Sequence, residues 1–129
     1  MYIASPFQLQ SGSSAQAQLF TAAMKKWAAP GTLIDSISTA GFATVMNVQQ
    51  VLSTISGTPT TSTILAAFKS GTHSNFLSHP YTCNGQALKG APAICNDYYL
   101  MDEIQNGKET QPDPTDWVTS KGYFPGIGG

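Results

Sequence analysis

The chain has no arginine, and its six lysines and seven acidic residues make only 10% of its 129 residues charged, against roughly 25% in ordinary soluble domains. The lysines are scattered along the chain. Phosphate neutralisation needs a basic patch, so nucleic acid is excluded as a partner, and a polybasic membrane anchor with it. No apolar run approaches the roughly 20 residues needed to span a bilayer. The first ten residues, MYIASPFQLQ, lack the basic region and longer apolar stretch of a secretion signal, so the signal of an exported protein would lie outside them.

What the chain does contain is ordinary for a globular protein. Hydrophobic residues make up 41% of it, and its length suits one domain rather than two. Its surface polarity comes from Ser, Thr, Asn and Gln in place of charge. Two cysteines, Cys83 and Cys95, stand in a segment rich in Gly, Pro and Asn. Two thiols alone do not build a zinc site, and His73 and His79 fall at no metal-binding spacing from them. Two free buried thiols are one reading of the pair. The expected one is a disulfide, which closes a loop of about 13 residues, contributes roughly 3 kcal/mol in the chain-entropy model, and suits an oxidising compartment.

Local pattern predicts mixed α/β structure. Met1 to Phe7 reads as a short strand halted at Ser5-Pro6. A first helix is expected over 15–29, with Ser13 as its cap and Phe20, Ala23, Met24 and Trp27 as its apolar stripe, stopped by Pro30-Gly31. Residues 32–37 read as a short strand or linker. A second helix is expected over 40–55, capped by Ser38 or Thr39, with an apolar face wide enough to need a large partner surface. A short third helix is expected over 63–70, ending at Gly71. From there the period is lost in a long loop, until a strand over 93–105 turns at Asn106-Gly107 into a hairpin. Residues 112–129 read as an extended or disordered tail. Three helices and one hairpin leave the helices short of a sheet to cover.

Catalytic chemistry finds no footing in these spacings. A nucleophile needs a base and an orienting group, and His73, His79, Cys83, Cys95, Asp97 and Asp102 form no such arrangement in sequence. Asp102 and Glu103 are neighbours in a strand and point to opposite faces. No glycine pattern joins a strand to a helix as a phosphate loop does. The expectation is a protein without enzymatic activity, metal or cofactor.

The order of elements then becomes specific. A strand running into Ser5-Pro6-Phe7, a helix ending in Lys25-Lys26-Trp27, a small-small-aromatic cap, Ala40-Gly41-Phe42, opening a long helix, a short helix, and a loop feeding a hairpin with Asn106-Gly107-Lys108 at its tip resemble the C-terminal third of the type I periplasmic binding proteins. These are the branched-chain amino-acid class of substrate-binding proteins for ABC transporters. The stretch from Ser78 to Gln111, with its Cys-Asn-Gly and Ala-Ile-Cys pieces, shares in the resemblance, which covers nearly the whole chain.

The resemblance implies a partial Rossmann-like lobe with an incomplete sheet, in a two-lobed protein that closes on a small polar solute such as an amino acid or amide. It implies a hinge strand over 1–7, the helices of one lobe over 13–71, and the loop and hairpin over 78–111. It further implies an ABC permease as partner, a periplasmic or extracellular location, and a binding cleft lined by Phe42 and Thr39. Phe42 stands where the family commonly has Tyr, so a phenolic hydroxyl is lost. The competing expectation is an exported interaction module that uses the Cys83–Cys95 loop as its recognition surface.

Overall fold

A computed structural model describes residues 1–88 and 90–120. It contains β1 (Tyr2–Ser5), α1 (Ala15–Trp27), α2 (Ser36–Leu52), α3 (Thr61–Lys69), β2 (His73–Asn75), β3 (Ser78–Tyr81), β4 (Tyr98–Gln105), β5 (Lys108–Thr110) and β6 (Val118–Thr119). The fold is mixed α/β, with three helices and small antiparallel sheets.

Strand β1 ends where expected, because the Ser5 hydroxyl turns back to donate to Phe7 O at 2.8 Å and to accept from Phe7 N at 3.3 Å. Helix α1 starts one residue later than its predicted cap allows. Ser14, in extended conformation, accepts from Ala17 N at 3.2 Å. Ala17 and Phe20 are buried, whereas Trp27, expected in the apolar stripe, is 77% exposed. Its ring instead receives the Lys26 ammonium at 4.8 Å from the centroid, a contact that contributes about 0.5–1 kcal/mol at an exposed site.

Helix α2 begins four residues before its predicted start, so of the stretch 32–37, read as a short strand or linker, 32–35 is a linker and Ser36 and Ile37 are helical. Asp35 is the cap, with its carboxylate accepting from Ser38 N at 2.9 Å and the Ser38 hydroxyl accepting from Asp35 N at 2.8 Å. The reciprocal box uses Ser in place of the usual Glu or Gln at the third position. Helix α3 is capped the same way by Thr60 and Thr63, and Gly71 at φ +89° follows it, where only glycine avoids a Cβ penalty.

The predicted loop after Gly71 holds a hairpin. β2 and β3 pair antiparallel, His73 opposite Tyr81 and Asn75 opposite Ser78, around Leu77 at φ +54°. Strands of three and four residues carrying His, Ser, Asn and Pro show no alternation to read. The turn's two residues carry its structural value: Phe76 and Leu77 plug the core formed by Ala17, Phe20 and Ala43, with Phe7, Met24, Phe42 and Met46 around them.

Central β4 is shorter than predicted, beginning at Tyr98. Its N-terminal neighbours are engaged elsewhere: Cys95 O accepts from Thr82 N, and Asn96 Oδ1 accepts from Tyr98 N. β1 pairs with it antiparallel, Ile3 opposite Asp102, and β5 also pairs with it, Ile104 opposite Glu109. The Asn106-Gly107 turn has φ of +52° and +74°, the two left-handed residues of a type I′ hairpin. Within the predicted tail, Val118 and Thr119 are extended and ordered as β6, which pairs Thr119 with Tyr98 and Val118 with Tyr99. The rest of the predicted tail, 121–129, lies outside the described residues.

Candidate functional site: a cleft at the end of the first strand

The bend that ends β1 and the start of α2 enclose a cleft of about 470 Å3. Its floor is the segment from Pro6 to Gln10, its far wall is Ile34, Asp35, Ser36 and Thr39, and Glu109 closes one side. Ile3, Phe7, Leu9 and Ile34 supply apolar surface, while Gln8, Gln10, Ser36 and Thr39 supply uncharged donors and acceptors. A concave site with apolar walls and a few convergent polar groups is the usual make-up of a small-molecule pocket.

Two of its parts are held rigidly. Thr39 is fully buried, and its hydroxyl reaches Asp35 O at 3.0 Å and Gln10 Oε1 at 3.5 Å. The floor is clipped from below by Gln111, whose Nε2 donates to Phe7 O at 3.1 Å and whose Oε1 accepts from Leu9 N at 3.1 Å. Gln8 reaches across to Pro114 O at 2.9 Å. On the other side of the same floor lies a second hollow of about 440 Å3, against Ser11–Ser14 and Thr110.

Of the two expected cleft residues, the structure places Thr39 in the cleft wall and Phe42 in the core. Phe42 lies edge-on to Phe20 at 5.3 Å and tilted against Phe76 at 5.2 Å, a cluster whose ring geometry adds to the burial. Gln8, Gln10, Asp35 and Glu109 were not singled out in the sequence, and uncharged glutamines in a bend give no signal. Asp102 did give one. The alternation Leu100, Asp102, Ile104 puts a carboxylate into an otherwise apolar row of β4, and Asp102 is fully buried there.

Glu109 binds its proton more tightly than an ordinary glutamate, because of partial burial first and then the charge and hydrogen bonding of Asp102. Asp113 moves the other way, held low by the hydroxyl and backbone N–H of Thr115.

The predicted disulfide is present: Cys83 and Cys95 are bonded, with Cα atoms 4.5 Å apart. Beside it a hollow of about 310 Å3 is lined by Asn84, Gln86, Asn96 and Tyr98. His79 stacks on Tyr98 at 3.7 Å, and Trp117 meets the His79 ring edge-on at 5.8 Å. His73 is taken up by Phe68 O at 3.2 Å. Among the described residues, no group of three His, Cys, Asp or Glu side chains is placed to hold a metal ion, and no helix is long and apolar enough to cross a membrane.

Comparison with protein-family models, with curated proteins and with solved structures returned no match.

Proposed function

We propose that the chain forms one wall of the solute site of an ABC-transporter substrate-binding protein, which closes on a small polar solute such as an amino acid or amide and delivers it to a membrane permease. The single observation that carries this reading is the cleft at the carboxyl end of β1. It is polar without being strongly charged, it is open, and its two walls are fixed by Thr39 and Gln111. A site open on one side suits a clamp that shuts from the other.

Two further features agree with this reading. Ile37, Val45 and Val48 on α2 stand exposed at 78%, 68% and 38%, a row of apolar residues of the kind that a second layer covers. The disulfide suits the oxidising exterior where such proteins work. Thr39 then serves as a cleft residue, with Gln10 as the amide it orients toward the solute. Phe42 acts one layer behind, holding α2 against α1.

The alternative, an interaction module built on the disulfide loop, draws on the His79, Tyr98 and Trp117 cluster beside that loop. Uptake separates the two readings. Cells lacking the encoding gene are expected to lose uptake of one radiolabelled amino acid or carboxamide from a panel. Unchanged uptake of the whole panel would remove the transport reading.

A further inference from the structure

The least comfortable group in the molecule is the Asp102 carboxylate. It is fully buried in the middle of β4, and although Oδ1 accepts from Gln111 Nε2 at 2.6 Å, Oδ2 has no fixed donor. An unpaired buried carboxylate oxygen is costly. The group best placed to reach it is another carboxyl, that of Glu109, which stands opposite Ile104 on the neighbouring strand and so lies diagonal to Asp102 on the same face of the sheet. An ionised Glu109 offers Asp102 only repulsion. A protonated one supplies the missing O–H donor.

Asp102 is also the anchor of the cleft floor. Gln111 links Asp102 to Phe7 O and Leu9 N, so the carboxylate, the amide and the Pro6–Gln10 segment form one chain of hydrogen bonds. Glu109 lines both hollows that this segment separates.

We infer that Asp102 and Glu109 share one proton, and that this shared proton latches the Phe7–Leu9 floor, so that the shape of the cleft responds to pH. The floor's importance for solute rests on the function proposed above; the latch itself does not. With the proton in place Oδ2 is satisfied and Gln111 is held square to Phe7 and Leu9. When the proton leaves, two carboxylates abut. Exposed Glu109 turns out to solvent, Asp102 is left to draw in water, and the Gln111 clip loosens.

Among the described residues, the other charged groups nearby do not supply a competing partner. The Met1 ammonium donates to Ile104 O at 3.2 Å on the β1 side. Lys108 on β5 and Glu103 on β4 alternate to the opposite face. Asp35 lines the far wall of the cleft as the α2 cap, Asp113 beyond Gln111 is engaged by Thr115, and Phe7 to Gln10 carry no charge. The sign follows from the raised affinity of Glu109 for its proton: the latch is complete at low pH and is lost as pH rises through the Glu109 titration.

The test is a carbon-detected NMR titration of the full chain without solute, following the Glu109 and Asp102 carboxyl carbons and the Leu9 amide. Glu109 is expected to titrate above the ordinary glutamate value, with the Leu9 amide shift moving at the same midpoint. Glu109→Gln is expected to make the Leu9 shift flat with pH, and Asp102→Asn to lower the Glu109 midpoint, leaving only the part of its rise that burial causes. A Leu9 amide that stays still while Glu109 titrates, or a Leu9 step that survives Glu109→Gln, overturns the latch. If Asp102→Asn fails to fold, the exposed Glu109→Gln variant decides alone. Because no solute is present, a failed latch leaves the transport reading standing, and unchanged uptake leaves the latch standing.

Discussion

The helical side and the sheet side of this molecule are held by different forces. On the helical side, Phe20, Phe42 and Phe76 meet ring to ring, and Leu77 from the β2–β3 turn seals them. On the sheet side the buried groups at the centre include Asp97 and Asp102, and order comes from hydrogen bonds through Gln111 and Thr119 and from the disulfide. Apolar packing is tolerant of solvent conditions, whereas polar networks break when one member changes its protonation or is removed. The cleft lies on the seam between the two. Its wall belongs to α2 and its floor to the polar network, so the floor is the part that a change of protonation can loosen.

The largest effect that would break this contrast is expected from Phe20→Ala. It removes the fully buried ring of the aromatic cluster and costs about 3–5 kcal/mol, read as a lower urea midpoint with helical circular dichroism lost in the same transition. A loss of under about 1 kcal/mol would mean that the cluster is not the helical core. Next comes the disulfide. Reduction, or paired Cys83→Ser and Cys95→Ser, releases a loop closed across 12 positions and costs roughly 3 kcal/mol in the entropic account. Amide exchange is expected to rise from Thr82 through Tyr98 while α1 and α2 keep their protection. Uniform loss of protection across the helices would erase the distinction between the two sides.

Much of this was legible in the sequence, and the gaps have physical reasons. The three helices, the Asn106-Gly107 hairpin and the cysteine pairing follow from periodicity, turn chemistry and loop composition. The start of α2 was misplaced because Asp35 and Ser38 make a capping box with a serine where glutamate is usual. The β2–β3 hairpin was hidden because its buried residues, Phe76 and Leu77, sit in the turn and its strands are polar. Strand β6 is two residues long and is defined by its partner, Tyr98–Tyr99. Of the residues that line the cleft, Thr39 is the one named from the sequence, as what the family resemblance implies. The floor is not legible, because Gln8 and Gln111 acquire their roles through contacts about 100 positions apart in sequence, such as Leu9 with Gln111 at a separation of 102, and Gln10 through Thr39, 29 positions away.

The central claim is that solute is taken at the seam, between the Pro6–Gln10 floor and the start of α2. Chemical-shift mapping of the labelled chain, titrated into the millimolar range with an amino acid and with a simple carboxamide, tests it most directly. Shifts are expected to concentrate on Gln8, Gln10, Ser36 and Thr39 and to weaken about threefold to tenfold in Gln10→Ala, the worth of one hydrogen bond of roughly 0.5–1.5 kcal/mol. Shifts confined to His79, Asn84, Tyr98 and Trp117 beside the disulfide, with the cleft silent, would contradict it.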